Sequence, residues 1–150
     1  MRKTGLIVVL CLLVLTGCKP KTAVEEEPTT LTCSQQFDKI SYEYSFVNQA
    51  PVTQVILYME ADYSYFGYTS IEEFEENIDS FVSYFTEVFY NGPAGAVDVY
   101  SLDDKIVGKI TIEGDVFDFS LILEETDVNL VTFAMLRESA ESEGLSCEEY

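Results

Sequence analysis

Alternating apolar and polar positions predict a β-hairpin early in the chain. Over residues 37–47 every second residue from Ile40 to Phe46 is apolar or aromatic, and the intervening residues are Ser or Glu. This period of two is typical of a strand with one buried face. Residues 52–61 are apolar on both faces, which predicts a central strand, and residues 48–51 form the turn between the two.

A long amphipathic helix over residues 70–90 is the clearest element. At 100° per residue its apolar side chains fall within one arc, and its acidic side chains lie opposite. Ser70 and Glu73 have the spacing of a capping box, and Gly92 with Pro93 predicts the end of the helix. We expect the apolar stripe to pack on the sheet. Its members are Ile71, Phe74, Ile78, Phe81, Val82, Phe85, Val88 and Phe89.

The remaining pattern predicts a meander and a second helix. Three strands are expected over residues 96–102, 105–112 and 116–123, and a shorter helix over residues 132–143, before Gly144. The order is β-β-α-β-β-β-α, and strands joined by tight turns pair antiparallel. We therefore expect an α+β two-layer domain, with an antiparallel sheet of about five strands covered by the long amphipathic helix and the shorter C-terminal helix.

An export signal precedes the predicted domain. Arg2 and Lys3 give a positive start, and residues 6–15 form an apolar run that would span only about 15 Å of a roughly 30 Å bilayer core. Such a short run is typical of a signal peptide. Residues 15–18 then resemble a bacterial lipobox, where the chain is cut before Cys18 and lipid is attached to its thiol. A plain signal peptide with an incidental cysteine is the alternative.

This lipobox predicts three regions. Residues 1–17 are the signal peptide, residues 18–30 hold the lipidated Cys18 and a flexible linker, and residues 31–150 form a single α+β domain. Pro residues and three consecutive Glu keep the linker from burying a core. Two acyl chains, such as palmitate, anchor a protein stably. We therefore expect a lipid-anchored domain at the extracytoplasmic face of the cell membrane, with the membrane as a partner through the anchor.

Composition narrows the classes of function. The chain has 27 Asp and Glu, eight Lys and Arg, no His, and a net charge of −19. This charge repels nucleic acid, so no nucleic-acid partner is expected. Without His, the commonest catalytic base and metal ligand are absent, and no phosphate loop or calcium loop is found. We assign no catalytic residue, no metal site and no cofactor.

Two cysteines are left for the domain. Cys11 leaves with the signal peptide and Cys18 is lipidated, so Cys33 and Cys147 remain near the two ends of the predicted domain. Outside the cell such a leftover pair most often forms a disulfide. Two free thiols and a metal-binding pair are the alternatives, although no His or other Cys is left to complete a metal site.

An aromatic cluster is the candidate ligand surface. Tyr63, Tyr65, Phe66 and Tyr68 lie in the predicted loop between the second strand and the long helix. A Tyr side chain has an apolar ring and a polar tip, which suits stacking on sugars or gripping peptides. The alternative is that two or three of these rings close the core and the rest lie on the surface.

The order of these features resembles that of the small YehR-like bacterial lipoproteins. The resemblance rests on the lipobox, the polar linker, the succession of elements, the early Cys33, and residues 141–147, in which a helix runs into Gly144 and the chain reaches Cys147. It implies an α+β lipoprotein of uncharacterised function and supplies no catalytic residues.

Two classes of function follow. The leading expectation is a non-enzymatic, lipid-anchored binding or scaffolding domain at the cell envelope, with a protein, peptide or sugar as ligand. The alternative is an envelope-polymer hydrolase, which needs two carboxylates facing each other in a cleft. Adjacent acids such as Asp103 and Asp104 supply pairs, but a chain this acidic forms pairs by chance, and Asp is common in turns.

Overall fold

The computed structural model describes residues 28–89 and 95–150. Cys18 and the predicted helix end at Gly92 and Pro93 lie outside these residues. The strands are β1 (Thr30–Gln36), β2 (Ile40–Val47), β3 (Gln54–Asp62), β4 (Ala96–Leu102), β5 (Lys105–Glu113) and β6 (Ser146–Glu149). The helices are α1 (Ile71–Glu76), α2 (Ile78–Phe89) and α3 (Phe133–Ser142), and two 3₁₀ helices span Tyr63–Phe66 and Phe119–Leu121.

The sheet has the order β4-β5-β3-β2-β1-β6, and all neighbouring strands are antiparallel. The prediction of an antiparallel α+β fold is therefore confirmed, and β3 lies inside the sheet as its two apolar faces indicated. Alternate side chains of β3, from Val55 to Ala61, are buried on the face that the helices cover. The hydrophobic core lies between this face and the helices.

The sheet has six strands where about five were predicted. The first and the last strand along the chain were missed. β1 pairs with β2, and the four-residue β6 pairs with β1. The predicted strand over residues 116–123 was wrong. The Asp118 side chain accepts a hydrogen bond from the backbone N–H of Ser120 at 3.0 Å, and this local bond stabilises a 3₁₀ helix instead of a sheet ladder.

The predicted long helix is two helices that meet at Asn77. Ser70 Oγ accepts from the backbone N–H of Glu73 at 3.3 Å, so this half of the predicted capping box is confirmed. The Glu73 carboxylate, however, accepts from the backbone N–H and the hydroxyl of Thr69, at 2.7 and 2.6 Å. The predicted apolar stripe also fails at Val88, whose side chain is 55% exposed.

The helices cover different parts of the sheet. α2 packs towards β4 and β5, where the Phe85 ring lies against the backbone of Gly108 so closely that a Cβ atom at Gly108 would stand 2.5 Å from Cζ of Phe85. α3 packs on β1 and β6. Its N-cap is Thr132, the first residue of the predicted helix, whose hydroxyl accepts from the backbone N–H of Met135. It stops before Gly144, which has a φ of 89°.

Cys33 and Cys147 stand directly opposite each other on β1 and β6. Their Cα atoms are 4.0 Å apart, and their sulfur atoms lie at bonding distance. The predicted pairing therefore has the geometry of a disulfide, in which Cys33 is completely buried. This bond fixes the C-terminal strand to the first strand.

Candidate ligand-binding cleft

The aromatic segment is a tight turn held at both ends. At its start, Asp62 forms an ion pair with Lys105, with 2.7 Å between Oδ1 and Nζ. The 3₁₀ helix Tyr63–Phe66 follows and ends at Gly67, where φ is 86° and the N–H donates to the backbone oxygen of Ser64. Glycine suits this position because it adopts positive φ without steric cost. The turn therefore presents its rings in a fixed direction.

The structure divides the four predicted residues between the core and the surface. Tyr65 is 48% exposed, whereas Tyr63, Phe66 and Tyr68 are half-buried. The Phe66 ring packs edge-on against Phe81 of α2, with 4.8 Å between ring centroids. The turn therefore both closes one end of the core and leaves an aromatic surface.

An open cleft of about 660 Å³ lies between this turn and α2. We call it the aromatic cleft. Tyr65 and Tyr84 are each 48% exposed at its surface. Its lining consists of Tyr65, Phe66, Gly67, Tyr68, Ser80, Phe81 and Tyr84.

Tyr84 lines the cleft but was not predicted as a site residue. It falls outside the apolar arc of the helix, and such positions are normally solvated. The sequence held no signal for it, because its proximity to the aromatic turn arises from the packing of α2. The structure brings Tyr84 to within 6.2 Å of Phe66, measured between ring centroids.

Tyr42 of β2 lies beside the aromatic cleft. Burial, followed by a hydrogen bond with Tyr65, raises the pKa of Tyr42 to about 12. Tyr84 also lies close enough to contribute to this shift. Tyr42 thus links the sheet to both exposed rings of the cleft.

A second, more apolar cavity of about 250 Å³ lies between β2 and α3. We call it the apolar cavity. Its polar lining residues are Tyr44, Ser139 and Glu143, and burial raises the pKa of Tyr44. Tyr44 is two residues from Tyr42 on the same face of β2. The apolar residues of the lining are Phe46, Ile122, Leu136, Ala140 and Leu145.

These surfaces are suited to stacking and hydrogen bonding. Of the described residues that line the aromatic cleft and the apolar cavity, Glu143 is the one carboxylate. Across residues 28–89 and 95–150, no group of three or more His, Cys, Asp or Glu side chains is placed to hold a metal ion. In the same part of the chain, no helix has the length and apolarity needed to cross a bilayer.

The fold and the cleft define a class of protein: a disulfide-containing α+β domain with an open aromatic cleft between a turn and a helix. No family model matches the chain, and no curated protein matches it. Its fold is similar to the NMR structure of the E. coli YehR protein, with a TM-score of 0.59 and 12% identity, over 81% of this chain and 91% of that chain. This likeness supports a YehR-like fold.

Proposed function

We propose that the chain is a non-enzymatic, lipid-anchored binding domain at the extracytoplasmic face of the cell membrane. Cys18 carries the lipid, the residues between Cys18 and β1 are the tether, and the folded domain binds a ligand in the aromatic cleft. One observation carries the binding role: Tyr65 and Tyr84 are each nearly half exposed at a cleft that further aromatic rings line.

The packing around the cleft supports this role. Phe66 and Phe81 hold each other edge to face beneath the exposed rings, and Tyr65 is fixed by its contacts with Phe66 and Tyr42. Rings held in this way lose little further conformational entropy when a ligand stacks on them. A pre-ordered aromatic surface is typical of a recognition site.

Export is supported by the sequence and by the positions of the two cysteines in the domain. The lipobox at residues 15–18 follows a positive start and a short apolar run. Cys33 and Cys147 stand opposite each other on β1 and β6, which suits a pair that is oxidised outside the cytoplasm. Both observations agree with export.

No observation favours the hydrolase alternative. A hydrolase of the paired-carboxylate kind needs a second acid across the cleft from the first. Among the described residues that line the two cavities, Glu143 has no such partner.

The anchor is tested by fractionation and mass spectrometry. We expect the wild-type protein in the membrane fraction, with a diacylated N-terminal peptide that begins at Cys18. The Cys18→Ser variant should keep its signal peptide and lack the lipid. An unmodified wild-type protein in the cytosol overturns the proposed location.

The cleft is tested with the full lipidated chain in micelles of a neutral polyoxyethylene detergent. The probes are dye-labelled chitohexaose and three dye-labelled hexapeptides (one rich in Arg, one neutral, one rich in Glu), and the readout is fluorescence anisotropy. We expect at least one probe to bind and to lose affinity in the Tyr84→Ala variant. Tyr100→Ala is the matched control, since Tyr100 is 43% exposed on β4, away from the cleft. If the affinity of every probe is unchanged when Tyr65 or Tyr84 is replaced by Ala, the proposed binding role is wrong.

A further inference from the structure

The aromatic cleft and the apolar cavity lie at the two ends of a line along β2 through Tyr42 and Tyr44, which we call the groove. α2 lies towards β4 on one side and α3 lies on β1 and β6 on the other, so the strip of sheet between the two helices carries the exposed parts of Tyr42 and Tyr44. Tyr42 contacts Tyr65 of the aromatic cleft, and Tyr44 lines the apolar cavity. The line from one depression to the other therefore passes Tyr42 and Tyr44. This length suits an extended ligand better than a compact one.

The charge around the groove is one-sided. Four of the eight basic residues precede residue 22, so residues 28–150 hold 24 Asp and Glu against four Lys and Arg. Lys105 is paired with Asp62, and Arg137 with Glu149. Lys39 donates a hydrogen bond to Ser64, which precedes Tyr65 in the turn, and Lys109 projects from β5 on the sheet face opposite the helices. None of these four lines the aromatic cleft or the apolar cavity.

Negative groups, by contrast, lie near residues at both ends of the groove. Asp79 and Glu87 are exposed on α2, next to Ser80 and one turn after Tyr84 respectively. At the far end Glu143 lines the apolar cavity from the C-cap of α3. The C-terminal end of a helix carries partial negative charge and favours a cation nearby, yet the last turn of α3 contains no basic residue.

Aromatic rings in a negative environment favour a particular ligand chemistry. The face of a Tyr ring attracts a cation, and the planar guanidinium of Arg can also stack on it. Tyr65 and Tyr84 offer two such rings at the surface of the cleft. A neutral sugar would use the rings but not the negative charge, and an acidic ligand would be repelled.

We propose that the groove binds an extended basic peptide, with an Arg or Lys side chain on Tyr65 and Tyr84 and the peptide passing Tyr42 towards Glu143. The inference rests on the proposed function, because it names the ligand class of the same cleft. The shape of the groove sets the extended conformation, and the charge selects the basic side chains.

The same binding assay tests this inference. We expect the Arg-rich hexapeptide to bind more tightly than the neutral and Glu-rich hexapeptides and chitohexaose. Tyr65→Ala and Tyr84→Ala should each weaken it about three- to fivefold, the size of an exposed cation–π contact. Tyr84→Phe should stay within about twofold of wild type because it keeps the ring. Glu143→Gln should weaken binding about threefold, as the loss of an exposed charge pair does.

The other outcomes separate the two proposals. If chitohexaose or the neutral peptide binds best and depends on Tyr84, the basic ligand is wrong and the binding role stands. If the Arg-rich peptide binds all variants equally, including Tyr100→Ala, and is released at high salt, the attraction is a general effect of net charge and the basic-peptide site is wrong. If no probe depends on Tyr65 or Tyr84, both proposals fail. Tyr65 and Tyr84 are half exposed, so their loss leaves the core in place.

Discussion

Removal of the Cys33–Cys147 pair gives the sharpest test of what holds the domain together. The double variant Cys33→Ala with Cys147→Ala removes a bond between residues 114 positions apart in the sequence. In the chain-entropy model, closing a loop of that size in the unfolded chain contributes about 4.8 kcal/mol to the free energy of unfolding. Measured losses on removal of native disulfides are about 2–5 kcal/mol, so we expect about 3–5 kcal/mol.

The loss should appear in a thermal unfolding experiment and should be concentrated at one edge. For a domain of this size each kcal/mol shifts Tm by about 3–5 °C, so the variant should melt about 9–25 °C below the oxidised wild type. β6 has four residues and pairs with β1 at the edge of the sheet. Its amides should therefore exchange hydrogen faster in the variant, while those of β3 and β5 stay protected.

Reduction of the wild type is the control for packing. Cys33 is completely buried, so the Ala variant also loses some van der Waals contact. Reduced wild type keeps the sulfur atoms, and it should melt close to the double variant if the cross-link dominates. If the oxidised, reduced and double-Ala proteins all melt within about 2 °C of one another, the loop-closure explanation is wrong, because it predicts a shift in Tm several times larger.

Three further predictions concern stability. Gly108→Ala should lower the free energy of unfolding, measured by chemical denaturation, by about 1–3 kcal/mol, because its Cβ meets the Phe85 ring. The same substitution should cost less in a Phe85→Leu background. If the losses of the two single variants simply add in the double variant, the clash is contradicted. The hydrogen bonds from Thr69 hold the pKa of Glu73 below its ordinary value. The loss of stability in Glu73→Gln should therefore be largest at pH values above the ordinary Glu pKa, and it should disappear as the pH falls through the lowered pKa of Glu73 in the folded protein. A loss that does not change with pH would contradict the role of the Thr69 hydrogen bonds. Thr132→Ala should lower the free energy of unfolding by about 1 kcal/mol, because the N-cap of α3 is lost. Thr132→Ser should keep most of this stability, since its hydroxyl can still cap the helix. Equal losses for the two variants in denaturant unfolding would rule out capping.

Local signals in the sequence determined much of the fold. The bounds of β4 match the predicted strand, and α3 occupies the predicted span because Thr132 caps its start and Gly144 takes the positive φ that ends it. These features depend on bonds between near neighbours in the chain, so they are visible in the residues themselves. The positions of Cys33 and Cys147 likewise indicated which ends would meet.

Tertiary structure decided the elements that depend on distant partners. β1 and β6 form because each finds a neighbouring ladder. In β1 only Leu31 and Cys33 alternate with polar residues, and β6 has only four residues. Residues 116–123 had the alternating pattern of a strand, but the bond from Asp118 to the backbone turned them into a 3₁₀ helix. The sequence indicated only part of the cleft. The turn residues were visible in the sequence, whereas Tyr42 and Tyr84 joined them only when the packing of α2 beside β2 brought three separate segments together.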